Sequence, residues 1–121
     1  MSTKTSQDLA TAVMRRLGML DMNKEPTAAE LAHIQDLYTD KLEELTGDDK
    51  VYWAAEEIPR AAFGAITRIL AEEFCVSMGK DIPTEQDENG TPVSIGNRGL
   101  RMLRRHMATV GSGLPTKAVY F

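Results

Sequence analysis

The residues of this chain that could do chemistry are few and lie far apart. There is one cysteine, Cys75, and the two histidines, His33 and His106, have no second metal ligand or nucleophile near them in sequence. A single cysteine excludes an internal disulfide and a zinc site built on cysteines. The adjacent glutamates at 56–57 and 72–73 would split across a helix instead of converging on a substrate. The sequence therefore predicts a protein that is not an enzyme.

Short motifs support the same expectation. The sequence contains no P-loop, no dinucleotide-binding glycine pattern, no serine-hydrolase elbow, no HExxH and no CxxC. The acidic residues between 81 and 88 lack the spacing of an EF-hand and its closing glutamate. We expect no cofactor and no metal ion, and a binding or assembly role.

Charge is divided unevenly along the chain. Residues 1–90 carry 9 Lys/Arg and all 18 Asp/Glu, whereas residues 91–121 carry 5 Lys/Arg and no acid. Such segregation predicts a basic surface for an acidic partner, or subunits that complement each other. The alternative is a C-terminal segment that folds back on its own acidic body. The basic face comprises Arg98, Arg101, Arg104 and Arg105.

Hydrophobic periodicity predicts an all-α fold, a small bundle of about four helices near residues 6–20, 27–45, 55–79 and 95–110. Ser6 is expected to cap the first helix, and Thr27 with Glu30 forms a capping box for the second. Gly79 suits the end of the third. Residues 1–5 are expected to fray, and Gly96 and Gly99 to make the start of the fourth helix irregular. No apolar run approaches the ~20 residues of a membrane span.

The third helix is expected to organise the core. Pro59 suits a helix start because its missing N–H would have no partner there. Glu56 and Glu57 lie where a helix N-terminus favours negative charge, and Gly64 indicates a close helix crossing. The expected structural core comprises Trp53, Ile58, Pro59, Phe63, Ile66, Leu70 and Phe74, with Ile69 and Met78 widening the stripe.

Two segments fall outside the helical pattern. Residues 80–90 are polar and acidic and predict a long loop, although the turn pair Asn89-Gly90 would also suit a hairpin. Over residues 80–94 this loop could project from a helical domain spanning 1–113. After the break at 111–113, residues 114–121 are expected to be an extended docking tail that binds another chain. The expected docking residues are Leu114, Pro115, Val119, Tyr120 and Phe121.

Three segments resemble the small helical head–tail connector (adaptor) proteins of tailed double-stranded DNA bacteriophages. They are DLATAVMRRLGML, PTAAELAHIQDLYTDKLEEL and VYWAAEEIPRAAFGAITRILAEEF, and they cover most of residues 7–79. The most familiar piece is a Trp-x(4)-Ile-Pro-x(3)-Phe pattern, formed here by Trp53, Ile58, Pro59 and Phe63. The basic fourth helix and the tail fit the family's general plan, and residues 80–90 match it least.

The resemblance implies a structural role in the virion neck, for a protein made in the host cytoplasm and not bound to a membrane. Such connectors form a ring, typically of twelve copies, beneath the portal, where they prolong the DNA channel and provide a platform for tail components. The implied partners are the chain itself, the portal protein, tail or further connector proteins, and packaged DNA through non-specific contacts. The four arginines of the basic face would line the lumen or meet a neighbouring subunit.

An alternative is a small helical DNA-binding protein, similar to a terminase small subunit or a regulator, with the basic fourth helix as its recognition helix. Two points count against it. A phosphate-binding face usually draws on more than one element, and residues 1–90 are net acidic. A third possibility is a helical regulatory partner of a host enzyme. Ring formation with a portal protein would distinguish the connector from both.

Overall fold

A computed structural model describes residues 3–21, 23–47 and 52–112 of the chain. In these ranges it is mostly helical, with four helices, as the periodicity predicts. It also contains two short antiparallel strand pairs. The expected docking tail, residues 114–121, lies outside the described residues. No helix in the described part is long and apolar enough to cross a membrane. The elements are β1 (Thr3–Lys4), α1 (Ser6–Arg16), α2 (Ala28–Gly47), β2 (Ile58–Pro59), α3 (Arg60–Ser77), β3 (Thr84–Gln86), β4 (Pro92–Ser94) and α4 (Ile95–Ser112).

The N-terminus of α1 differs from the prediction. The capping residue is Thr5, whose hydroxyl accepts the N–H of Asp8 at 3.3 Å while its own N–H donates to the Asp8 carboxylate at 3.0 Å. Ser6, the expected cap, is buried, and its hydroxyl accepts a hydrogen bond from Gln35. The reciprocal bonds of a capping box explain why Thr5 replaces it. The helix also ends earlier than predicted, at Arg16.

The segment before α3 forms a turn and a two-residue strand where a helix was predicted from residue 55. Ile58 and Pro59 pair with Lys4 and Thr3, so residues 3 and 4 are fixed in a strand and the expectation that they fray is wrong. The helix begins only after Pro59, its N-cap residue. Glu56 accepts the N–H of Ser6 at 2.9 Å, and so its charge serves the N-terminus of α1 instead of that of α3.

The second helix begins where the sequence predicts. The Thr27 hydroxyl accepts the N–H of Glu30 at 3.2 Å, and the Glu30 carboxylate accepts the N–H of Thr27 at 2.9 Å, which confirms the capping box. Further along, the Tyr38 hydroxyl donates to the carbonyl of Ala55 at 2.8 Å and accepts the indole N–H of Trp53 at 3.4 Å. These two bonds attach the segment before α3 to α2.

The core lies around α3, which contacts each of the other three helices. Of the residues predicted to form it, four are buried and three are half-buried. The buried ones are Ile58, Ile66, Leu70 and Phe74, and the half-buried ones are Trp53, Pro59 and Phe63. Met78, expected to widen the apolar stripe, is 51% exposed, because it follows the last turn of α3.

A close crossing of α3 and α4 lies at Gly99 and not at Gly64. A Cβ added at Gly99 would stand 2.6 Å from the carbonyl oxygen of Ala65 and 2.9 Å from side-chain atoms of Arg68 and Ile69. A Cβ at Gly64 would meet nothing nearer than 3.4 Å. The helix α4 starts regularly at Ile95, so the expected irregularity is not found. Gly99 instead permits the tight packing that holds α4 on the core.

Candidate functional site

Five arginines from three helices converge on one acidic hairpin. Strands β3 and β4 pair with Gln86 opposite Pro92, and residues 87–91 connect them. We call residues 84–94 the hairpin. The long loop predicted here is therefore folded, and the alternative hairpin reading of the sequence is the one the structure adopts. The arginines are Arg16 from α1, Arg68 from α3, and Arg98, Arg101 and Arg105 from α4. These five side chains are the arginine site.

Glu85 joins two of the helices through its carboxylate. Its Oε1 accepts from Nε of Arg68 and its Oε2 from Nη1 of Arg16, both at 2.7 Å. The Arg68 guanidinium also donates to the carbonyl of Gly64 at 3.1 Å, which fixes its position on α3. Burial raises the pKa of Glu85, but the hydrogen bond from Arg68 and the charges of Arg68 and Arg16 outweigh it, so the pKa lies below its ordinary 4.5.

Asp87 holds the tip of the hairpin together. Its Oδ1 accepts the N–H groups of Asn89 at 2.8 Å and Thr91 at 2.9 Å, and its Oδ2 accepts from Arg101 at 2.8 Å. The Asp87 side chain is only 5% exposed. The N–H of Thr91 is the largest cause that lowers the pKa of Asp87 below 3.8, and the bonds from Asn89 and Arg101 add to it. The carboxylate thus serves the turn and α4 together.

Glu88 lies between two arginines on α4. Its Oε2 is 3.1 Å from Nη2 of Arg105 and 3.6 Å from Nη1 of Arg98. Its own backbone N–H is the largest cause that lowers the pKa of Glu88, and Arg105 adds to it. Arg98 Nη1 is buried and has no hydrogen-bond acceptor among the described residues, since 3.6 Å is too long for a hydrogen bond. The pairing of Glu88 with Arg98 is therefore incomplete.

The sequence located part of this site. Arg98, Arg101 and Arg105 were predicted as one basic face, and the structure brings them together against the hairpin. Arg104 is exposed, and no ion pair of its side chain occurs in the described part of the chain. One alternative from the sequence was that the C-terminal segment folds back on the acidic part of its own chain. These three arginines pair in that way. Whether any of the four also lines a lumen or meets a neighbour stays a prediction.

Sequence reasoning missed Arg16, Arg68 and Glu85. The sequence analysis singled out neither Arg16 nor Arg68. The signal that could have found them is the acidic stretch at 81–88, followed directly by a segment without any acid. No periodicity links residues 16, 68 and 85, because only the fold brings them together.

Two other features of the described chain are an open groove and a buried cysteine. An open groove of about 770 Å³ runs between α1 and α3 and includes Lys4, Asp8, Arg15 and Phe63 among its lining residues. The Lys4 ammonium lies 5.5 Å from the centre of the Phe63 ring there. No group of three or more metal-ligating side chains occurs within the described ranges. Cys75 is buried, and this burial raises the pKa of its thiol.

Compared with protein-family models, curated proteins and solved structures, the chain matches none of them. Function is therefore inferred from the chain's own residues and from the resemblance that its helical segments carry.

Proposed function

We propose that the chain is a structural head–tail connector (adaptor) of a tailed-phage virion. In this role it forms an oligomeric ring, with twelve copies as the expected number, beneath the portal. The ring extends the DNA channel and provides an attachment platform for tail or further connector proteins. Its site of action is the neck of the virion.

The observation that supports the proposal is the position in the fold of the residues on which the resemblance rests. The Trp-x(4)-Ile-Pro-x(3)-Phe segment forms a joint between the N-terminus, α2 and α3. Trp53 donates to Tyr38 on α2, Ile58 is fully buried, and Ile58 and Pro59 pair with the first strand. These residues determine the relative positions of helices, as a structural motif should. A structural part of a larger assembly fits this arrangement better than an enzyme does.

The docking tail stays part of the proposal. We expect Leu114, Pro115, Val119, Tyr120 and Phe121 to bind the portal protein or a neighbouring subunit as an added strand with aromatic anchors. Ordering an eight-residue segment costs about 1–2 kcal/mol per residue in backbone entropy, so one copy would bind weakly. A ring of copies would gain affinity by avidity.

Reconstitution with a portal tests the proposal. The chain would be mixed with the purified portal ring encoded in the same genome, and the product imaged by cryo-electron microscopy. We expect a ring of chains coaxial with the portal, and a variant lacking residues 114–121 should keep its helical content but fail to attach. A full-length chain that leaves the portal bare at high concentration would contradict the proposal. Normal attachment of the truncated variant would contradict only the role of the tail.

The alternative, a DNA-binding protein with α4 as its recognition helix, meets a specific obstacle. Arg98, Arg101 and Arg105 are already paired with Asp87 and Glu88 of the same chain. A recognition helix needs side chains that are free to reach base edges. In the observed arrangement these three arginines face carboxylates instead.

A further inference from the structure

We propose that the arginine site binds the phosphodiester backbone of duplex DNA, and that the hairpin carboxylates occupy this site as a built-in competitor. The proposal goes beyond the non-specific DNA contact that the resemblance implies, because it names the residues that would bind phosphate and adds a mechanism that masks them. It can be tested with the free chain and DNA alone, so its outcome is independent of whether the chain assembles under a portal.

The first argument is an excess of positive charge at the site. Five guanidinium groups face three carboxylates, those of Glu85, Asp87 and Glu88. Two positive charges therefore have no counterpart in the hairpin. Arg98 Nη1 is buried without an acceptor. A phosphate group presents more charged acceptor oxygens than one carboxylate, so it could satisfy donors that the hairpin leaves unpaired.

The second argument is the number of elements that contribute. Phosphate contacts fix a protein on DNA through several structural elements at once. Here α1, α3 and α4 each supply at least one arginine to the same place. Arg98 and Arg105 are separated by about 10 Å along α4, at ~1.5 Å per residue. A cluster on three helices of this extent can follow a stretch of phosphate backbone, whereas a single helix face would offer only a line of charges.

The third argument is that the hairpin is a displaceable cover. Its strands have three residues each, and Thr84, Gln86 and Pro92 are exposed. A two-stranded hairpin of this size has little stability of its own, and ion pairs near the surface are weak. Arg105 is 63% exposed, so a ligand can reach it before the hairpin moves. DNA could then replace the carboxylates one after another while the helical core stays folded.

Neutralising the hairpin tests the proposal. In the hairpin variant, Glu85→Gln, Asp87→Asn and Glu88→Gln remove three negative charges. The matched control variant, Asp36→Asn, Asp40→Asn and Glu43→Gln, removes three from exposed positions on α2. Binding to a fluorescent 20-bp duplex would be measured by anisotropy at several salt concentrations. We expect the hairpin variant to bind at least tenfold more tightly than the control variant, with a log–log salt slope of about −4.5 for five phosphate contacts.

A second variant tests whether the arginines bind the DNA. Adding Arg98→Gln, Arg101→Gln and Arg105→Gln to the hairpin variant should remove most of the gained affinity and reduce the salt slope by roughly 3. An unchanged affinity would show that DNA binds elsewhere and would overturn the proposal. Equal gains in the hairpin and control variants would also overturn it, because net charge alone would then explain the binding.

Asp87 also stabilises the turn, so the hairpin variant can lose the fold of the hairpin. A milder variant avoids this effect. Glu88→Gln leaves every hydrogen bond of Asp87 in place, and Glu43→Gln is its matched control. We expect about threefold tighter DNA binding from the first and no change from the second, with identical circular dichroism. If Glu88→Gln and the folded hairpin variant both bind DNA no better than their controls, the proposal is wrong. Tighter binding of polyglutamate than of DNA by the hairpin variant would overturn it as well, in favour of an acidic protein partner.

Discussion

The core around α3 and the hairpin on α4 differ in what holds them in place. Leu70 and Phe74 of the core are buried among apolar side chains, and their contribution depends on the area removed from water. The hairpin is fixed by Glu85, Asp87 and Glu88, whose partners are arginines on three helices. Salt and mild acid do not weaken apolar burial, whereas they weaken ion pairs. The chain thus joins a fixed scaffold to a cover that solution conditions can loosen.

The largest effect is expected in the core. Leu70→Ala should lower the free energy of unfolding by about 3–5 kcal/mol, because Leu70 is fully buried and the change leaves a cavity. Urea unfolding followed by circular dichroism measures it. Val76→Ala is the matched control on the same helix. Val76 is 60% exposed, so a loss of less than about 0.5 kcal/mol is expected. Similar losses for both variants would mean that Leu70 does not lie on the buried face of α3.

The next effect concerns the packing of α4 on α3 at Gly99. Gly99→Ala should destabilise the protein by about 1–3 kcal/mol, since its Cβ would overlap the Ala65 carbonyl across the α3–α4 crossing. A Cβ at Gly64 would make only ordinary van der Waals contacts, 3.4 Å from Nη1 of Arg68 and 3.8 Å from the Met102 side chain, so Gly64→Ala should stabilise the protein by up to ~1 kcal/mol because alanine favours helix. Thermal unfolding of the two variants compares them. Stabilisation by Gly99→Ala would contradict the close crossing.

A smaller effect is expected from acid, which should destabilise the hairpin before the core. The pKa values of Glu85, Asp87 and Glu88 all lie below the ordinary 4.5 for Glu and 3.8 for Asp. Groups with lowered pKa stabilise the fold above their ordinary pKa, and this stabilisation is lost as pH falls through the lowered value. Titration from pH 6 to pH 2.5, followed by NMR, should shift hairpin amides before amides of α3. Simultaneous loss of both would mean that the hairpin is no weaker than the core.

Sequence reasoning predicted the core better than the hairpin, for a physical reason. The burial of Ile66, Leu70 and Phe74 follows from helical spacing, which a single chain displays directly. The capping box of Thr27 and Glu30 is equally local, and it was found. Features determined by distant residues were missed. The start of α3 was placed too early, because Ile58 pairs with Lys4 near the N-terminus and local sequence does not show this pairing.

The candidate site shows the same division. The helical spacing of Arg98, Arg101 and Arg105 is visible in sequence, so their shared face was predicted. Their pairing with Asp87 and Glu88 was foreseen only as one of several outcomes of the charge asymmetry. The bond from Arg68 to Glu85 spans the α3–hairpin connection and depends on how α4 packs at Gly99. Such contacts follow from tertiary structure and carry no local signal.

The most direct test of this difference between core and hairpin is native-state hydrogen exchange on the unmodified chain, measured by NMR at 50 mM and 1 M NaCl. The reporters are the N–H of Asp87, bonded to the Thr91 carbonyl, and the N–H of Ile95, bonded to the Pro83 carbonyl. At 1 M salt the Debye length falls to about 3 Å, so the ion pairs weaken. We predict that these two amides lose protection severalfold while amides in the middle of α3 keep theirs. Unchanged protection in the hairpin, or an equal loss in α3, would contradict the account.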